Sequence, residues 1–366
     1  MICFYLLWTM SYFVLLNWFA GKWPKQRREV DSEGYLPAIT LLIPLRNELE
    51  NLESLIPELG KIAYPKLEIL LVDDQSEDGT FSSLQEMTKG DSRVRVLKSP
   101  GAGKKAAIQC GVEAARTELI LCSDADCRFP KVWVERMAEA FLDSKVQLVA
   151  GPVITSGELG FFQRFQQIEW ASILLVTKFF FSQKRPLLCS AANFAYRKSA
   201  FLEVGGYGGN LQFWSGDDEF LLKKILEKFG KESCVYLPYT ENLIYTKAQP
   251  TFSDLISQRI RWASKWKYHG DWGHAFSAIG AFLVQAIWLA SAGLFCLGIQ
   301  GILAFFVVWA GKVVAEKLTL GRVLTTLHLR RSLVDFMKTS FFHPFYILTV
   351  TVGTVRGKFV WKGRAN

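Results

Sequence analysis

ELILCSDADCRF, residues 118–129, is an apolar run of one strand's length that ends in two aspartates one residue apart. Two carboxylates this close repel each other and lose solvation at the end of a core strand, so they need a cation between them. A divalent ion is one answer and a solvated acidic turn is the plainer one. Two earlier stretches have the same form. LEILLVDDQSEDGT, residues 67–80, and AITLLIPLRNE, residues 38–48, are also short apolar runs that end in charged groups. Helix-period segments lie between and after them (NLESLIPELGKI, AAIQCGVEAA, VWVERMAEAFL), together with the short runs VRVLK and VQLVAG. This alternation from Pro37 to about Ser156 predicts an α/β domain, a mostly parallel sheet with helices on both faces. Ligands of such sheets sit beyond the carboxyl ends of the strands, so IPLRNE, VDDQS and SDADC should face one crevice.

The chain has 366 residues, half of them hydrophobic, with 28 Phe and 12 Trp, which is more apolar surface than one soluble core needs. Met1–Ala20 is uncharged and long enough to cross roughly 30 Å of hydrocarbon. Its basic residues, Lys22, Lys25, Arg27 and Arg28, follow the apolar run, whereas a signal peptide carries them before it and ends in a small-residue cleavage site. A retained anchor over residues 1–21 is expected, with the basic cluster and the central domain on the cytoplasmic side. Residues 275–312 form a second uncharged tract, enough for two crossings with a turn near residues 298–301, and residues 340–356 are a shorter third segment that either spans or re-enters. A third full crossing would export the basic tail RGKFVWKGR, which favours a re-entrant or interfacial last segment. FFQRFQQIEWASILLVTKFFF, residues 161–181, carries Arg164, Glu169 and Lys178 and reads as an interfacial or core helix.

The net charge of +9 suits an anionic membrane surface, and no motif makes it a nucleic-acid stripe. Seven cysteines without a CxxC pair fit a reducing compartment, and Cys122 and Cys127 read as packing residues.

Asp73 and Asp74 end a strand, where a carboxylate can accept a hydrogen bond from a base N–H or a ribose hydroxyl. GAGKKAA, residues 101–107, lacks the Walker spacing, since Lys98 and Lys105 stand where Gly and Ser or Thr are required. Lys104 at a glycine-rich helix start is still placed to meet a diphosphate. Asp124 and Asp126 are hard oxygen ligands suited to Mg²⁺ or Mn²⁺. Asp217 and Asp218 in SGDDEF are read either as helix caps or as carrying a general base. Gln258, Arg261 and Trp262 of QRIRW share neighbouring parts of one helix, with Arg261 available to a phosphate; the alternative is a membrane-surface helix with snorkelling arginines.

The order IPLRNE, VDDQS, GKKAA, SDADC, AANFAYRKSAFLEVGGY, GDDEF and QRIRW resembles the family-two glycosyltransferases, inverting nucleotide-sugar enzymes of GT-A fold, over about Pro37 to Lys267. The resemblance implies a GT-A domain over residues 37–270, flanked by N- and C-terminal transmembrane helices in a cell (inner) membrane. It implies a nucleoside site at Pro44, Arg46, Glu48 and Asp73 or Asp74, and a divalent ion, Mg²⁺ or Mn²⁺, on Asp126 with Asp124 on its ribose or metal side. Lys104, Gln258, Arg261 and Trp262 would serve the donor diphosphate, and Asp218 would be the base. One departure is Gly-Asp-Asp where many polymer synthases have Thr-Glu-Asp, which leaves Asp217 open as the alternative base. The expected partners are a nucleotide-sugar, by resemblance a UDP-sugar, and a membrane-delivered lipid acceptor. A processive polysaccharide synthase and an inactive nucleotide-sugar-binding scaffold are the alternatives.

Overall fold

The computed structural model describes residues 1–24, 36–157, 160–209, 216–264, 272–356, 360–361 and 364–365. Lys25, Arg27, Arg28, Ser215, Lys267 and most of the basic tail lie outside the described residues. The strands are β1 (Ile39–Leu45), β2 (Leu67–Asp73), β3 (Val94–Lys98), β4 (Leu119–Cys122), β5 (Leu148–Ala150), β6 (Val153–Thr155), β7 (Phe194–Arg197), β8 (Cys234–Tyr236) and β9 (Ile244–Thr246). The helices are α1 (Ile2–Ala20), α2 (Leu49–Gly60), α3 (Thr80–Met87), α4 (Lys104–Ala114), α5 (Trp133–Glu139), α6 (Phe161–Ser182), α7 (Lys198–Glu203), α8 (Asp217–Phe229), α9 (Phe252–Ala263), α10 (Trp272–Ala290), α11 (Gly298–Thr326) and α12 (Leu333–Arg356).

The chain divides into two compact units. One comprises Gln26–Ser156 and Phe180–Lys247; the other comprises Met1–Lys25, Gly157–Phe179 and Ala248–Asn366. Residues 37–270, expected as one domain, are therefore distributed over both.

The first unit is built on a seven-stranded sheet of order β3-β2-β1-β4-β7-β5-β8. β1, β2, β3 and β4 pair in parallel, and β7 runs antiparallel between β4 and β5. Ile39, Leu41, Leu42 and Ile43 of β1 have no solvent exposure, as a strand covered on both faces requires. The chain goes from β1 outward to β2 and β3, then returns to the other side of β1 as β4. That reversal is a topological switch point, and the crevice outside the carboxyl ends of β1 and β4 is where such sheets bind ligands. Leu45 of β1 is in register with Asp73 of β2, and Asp73 with Lys98 of β3, so the three strands stop along one edge.

α4 lies directly on this sheet. A Cβ at Gly111 would stand 2.2 Å from Leu42 Cδ1, so any larger residue would force Leu42 to shift and loosen the approach that fixes the start of the helix and Lys104 with it.

In the second unit, α1 and α11 run side by side in the same direction. Tyr12 Oη donates to Glu316 Oε1 at 2.9 Å, and Trp23 Nε1 donates to Thr326 Oγ1 at 2.6 Å. Phe4, Leu7, Met10 and Val14 of α1 and Ile299, Leu303, Phe306 and Val307 of α11 stay exposed. The second apolar tract differs from expectation at two points. Its break is the 3₁₀ segment Ser291–Leu297, just before the expected turn, and it closes at Gly298 with φ of +64°. Beyond Lys312 the helix continues to Thr326, because Lys312 is fully buried and its Nζ meets Glu316 Oε1 at 2.5 Å one turn on; the pair cancels the charge that was expected to end the segment. α12 begins at Leu333, ahead of the expected residue 340. α6 is a single helix with Arg164, Gln166, Gln167 and Glu169 all buried, which makes it a core element of this unit.

Gly111→Ala is expected to destabilise the sheet unit by about 1–3 kcal/mol, the usual range for an added methyl group in a packed core. A lowered denaturation midpoint of purified protein checks this, and an unchanged midpoint would show that Leu42 can yield.

Candidate active site

The crevice starts from two loops that brace each other across β1 and β2. Arg46 Nη1 donates to Asp74 O at 2.8 Å and to Gln75 O at 3.0 Å. Asn47 N donates to Ser76 Oγ, and Glu77 N donates to Asn47 Oδ1, both at 2.9 Å. Glu48 N donates to Thr80 Oγ1 at 2.9 Å. Asn47 and Gln75 both take positive φ, +49° and +55°, an uncommon state for non-glycine residues that this bracing holds in place. Pro44, Arg46 and Glu48 thus lie on a preformed rim beside Asp73 and Asp74.

Both of these aspartates are about 98% buried, having 2% relative exposure each. Asp73 Oδ2 accepts from Ser76 N at 3.2 Å, while Asp73 Oδ1 is buried without a hydrogen-bond donor. A ligand N–H or hydroxyl would satisfy that oxygen, as the nucleoside reading requires. Asp74 Oδ1 accepts from Gly103 N at 2.7 Å, which ties the β2 end to the glycine loop. Gly103 has φ of +98°, a conformation that turns the chain into α4 and points Lys104 inward.

Lys104 is the centre of the charge cluster. Its Nζ lies 2.7 Å from Asp124 Oδ1 and 3.2 Å from Asp217 Oδ2. Burial opposes its charge, but Asp124 and Asp217 outweigh this and hold its pKa above the ordinary lysine value of 10.5. A raised folded-state pKa means that the stabilisation is complete below the unfolded value and is lost only in strong alkali. Lys104 thus bridges two carboxylates of the crevice.

Asp126 is held by β9. Its Oδ2 accepts from Thr246 Oγ1 at 2.8 Å, and it lines a polar cavity of about 410 Å³ with Glu50, Glu53, Arg128, Tyr245 and Lys247. The cavity is walled by α2, the loop after β4 and the end of β9.

Asp217 and Asp218 open α8 behind Gly216, whose φ is +86°. Their roles divide. Asp217 joins Lys104, whereas Asp218 Oδ2 accepts from Ala191 N at 3.0 Å and its Oδ1 from Glu219 N at 2.8 Å. The two backbone donors fix the Asp218 carboxylate.

Among the described residues, no group of three or more His, Cys, Asp or Glu side chains could hold a metal. A divalent ion at Asp124 and Asp126 would draw its other ligands from a bound diphosphate and water. This suits Mg²⁺ or Mn²⁺, which bind through one or two carboxylates plus phosphate oxygens. It does not suit zinc, which needs a closed set of three or four side-chain ligands that no such group among the described residues supplies.

Gln258, Arg261 and Trp262 belong to the other unit, on α9, and all three are half-buried. The buried residue of that motif is Arg259, at 6% exposure.

Sequence reasoning missed Thr246, Lys247 and Arg259. Thr246 and Lys247 sit in no motif and come beside Asp126 through the antiparallel backbone bridge between Tyr245 and Arg128. Asn193 in AANFAYR is fully buried, and its amide nitrogen donates to Pro152 O and Asn242 O at 2.8 and 2.6 Å; it is a structural clamp.

With this geometry in view, the comparisons agree on the class. The fold is GT-A: Mannosyltransferase PcManGT from Pyrobaculum calidifontis in complex with GDP-Man and Mn2+ is similar over 97% of both chains, with a TM-score of 0.58 and 17% identity. Residues 40–205 match the family model for glycosyl transferase family 2. Poly-beta-1,6-N-acetyl-D-glucosamine synthase of Staphylococcus aureus is 25% identical over 237 residues, covering 62% of this chain and 54% of the synthase. Glycosyltransferase AglE of Haloferax volcanii is 30% identical over 121 residues, 32% of this chain and 40% of AglE. The chain spans about half the length, or less, of these curated relatives.

Lys104→Met removes the cation that Asp124 and Asp217 share. Titration with a nucleoside diphosphate should show affinity reduced by about tenfold or more, in line with losing a charge-assisted phosphate contact. Unchanged affinity would remove Lys104 from the donor site.

Proposed function

We propose that this protein is an inverting glycosyltransferase that moves a sugar from a nucleotide-sugar, a UDP-sugar in the first instance, to an acceptor hydroxyl delivered at a membrane. The observation that carries this reading is the convergence of Asp73, Asp74, Lys104, Asp124 and Asp217 at the switch point of a family 2 sheet. Pro44, Arg46, Glu48, Asp73 and Asp74 hold the nucleoside, and Lys104 and Asp124 lie on the side of the diphosphate and ribose. Asp126, with Asp124, would hold Mg²⁺ or Mn²⁺, which when bound neutralises charge on the departing diphosphate. The Mn²⁺ named with the mannosyltransferase supports this choice of ion. Lys104 supplies a fixed positive charge to the same leaving group. Gln258, Arg261 and Trp262 act on the diphosphate and acceptor by their likeness to the family's Gln-x-x-Arg-Trp element.

Asp218 takes the proton of the acceptor hydroxyl as its oxygen attacks the anomeric carbon, and the configuration inverts in this single displacement. Asp217 is committed to Lys104, which leaves Asp218 as the better base.

The protein is further proposed to be integral to the cell membrane with its sheet unit in the cytoplasm. α1 and α10–α11 include the stretches long and apolar enough to cross, Ile2–Ala20 and Ile279–Thr326. α1 and α11 run in the same direction, and the two proposed crossings after the catalytic part return the chain to the cytoplasm. The close packing of α12 on α9, where a Cβ at Gly353 would stand 2.2 Å from Ile260 Cδ1, supports an interfacial course for that helix.

The acceptor is proposed to be a lipid. The likeness to a poly-N-acetylglucosamine synthase favours a growing polysaccharide as the second reading. Membranes containing the protein, given Mg²⁺ or Mn²⁺ and labelled UDP- and GDP-sugars, should transfer label to the organic extract. Asp126→Ala should abolish transfer, and Asp218→Asn should lower turnover by roughly 10²-fold or more while nucleotide binding persists. Label in insoluble, enzyme-digestible material would make the protein a polymer synthase. Binding without transfer to any acceptor would make it a scaffold, and unchanged turnover in Asp218→Asn would remove that residue as base.

A further inference from the structure

QRIRW has a second arginine that the family reading does not use. Arg259 is buried in the apolar unit, far from the solvent that a snorkelling arginine would seek. Its Nε donates to Glu169 Oε1 at 2.8 Å and its Nη2 to Glu169 Oε2, a two-pronged pair from α9 to α6. Tyr346 of α12 completes the carboxylate, donating from Oη to Glu169 Oε1 at 2.6 Å. The remaining nitrogen, Nη1, donates to Gln258 Oε1. The guanidinium plane lies over the Trp262 ring, 4.2 Å from its centroid, and Trp170 stands 5.5 Å from Trp262, edge to face.

Each guanidinium nitrogen of Arg259 therefore bonds a neighbour, and two of the groups around it, Gln258 and Trp262, are the motif residues themselves. A buried ion pair contributes little net stability against an apolar replacement of the same volume, but it fixes geometry. Lysine in its place would keep the charge and lose the planar fork, the ring stacking and the simultaneous reach to Gln258.

We infer that Arg259, anchored by Glu169 and Tyr346, is a positioning residue that sets the orientation of Gln258 and Trp262 for sugar transfer. The inference rests on the glycosyltransferase reading for its catalytic consequence and on geometry alone for the positioning. It also gives the last apolar helix a part in the reaction: Tyr346 of α12 holds the carboxylate that holds the arginine.

The test uses the full chain in detergent micelles, with Arg259→Lys, Trp262→Ala, the double variant and Tyr346→Phe. Arg259→Lys should lower kcat/KM for the donor about tenfold while the melting temperature stays within about 3 °C of the parent. In the Trp262→Ala background the same change should cost less than about twofold, since the residue through which it acts is already gone. Tyr346→Phe, which keeps the ring, should give a smaller loss of the same kind. The fluorescence difference between proteins with and without Trp262 isolates that ring among the others, and it should change when Arg259 becomes lysine. Additive losses in the double variant, or an unchanged Trp262 difference spectrum, would overturn the positioning role. A parent protein inactive toward every donor would instead overturn the glycosyltransferase reading, and the spectrum, which needs no substrate, would then decide the positioning by itself.

Discussion

Like charges gathered at the end of a buried sheet are the constraint on which the rest of this structure depends. Asp73 and Asp74 have 2% exposure and Asp217 has 6%, yet β2 and α8 bring all three to the same edge as Asp124. Such a grouping persists only if cations and fixed donors oppose the repulsion. Lys104 does so for Asp124 and Asp217, the Gly103 amide does so for Asp74, and the Ser76 amide does so for one oxygen of Asp73. The other oxygen of Asp73 is buried without a donor among the described residues, and a ligand with N–H or hydroxyl groups can complete it.

The glycines follow from this requirement rather than standing apart from it. Gly103 turns the chain so that Lys104 enters the cluster, Gly216 does the same for Asp217, and Gly111 lets α4 lie close enough on β1 to keep Lys104 in place. The apolar unit applies the same rule in a drier setting. Lys312 with Glu316, and Arg259 with Glu169, place two buried cations against carboxylates, and Tyr12, Ser340 and Tyr346 donate further hydrogen bonds to those carboxylates. Charges inside an apolar helix bundle are costly when single and tolerable when fully paired.

The sheet was legible because its strands are continuous apolar runs that stop abruptly at charged residues. Asp73, Asp74, Lys104, Asp124 and Asp217 could be nominated from those stops and from their order. What escaped was information held by non-local pairing. β7 is a four-residue antiparallel insertion too short to show a period, and Thr246 meets Asp126, 120 residues earlier in the chain, beside the backbone bridge between Tyr245 and Arg128. The different tasks of Asp217 and Asp218 are likewise set by Lys104 and the Ala191 amide, which come from distant segments. In the apolar unit, charge at Lys312 reads as the end of a membrane tract until Glu316 is seen to cancel it one turn later.

The central claim is that the aspartate edge holds a metal only together with a nucleoside diphosphate, because among the described residues it offers too few ligands to hold one alone. Electron paramagnetic resonance of Mn²⁺ titrated into purified protein, with and without UDP or GDP, tests this most directly. The account predicts weak Mn²⁺ binding to the protein alone, much tighter binding once the nucleotide is present, and loss of that gain in Asp126→Ala. Tight Mn²⁺ binding that ignores nucleotide, or a nucleotide-dependent gain that survives Asp126→Ala, would contradict it.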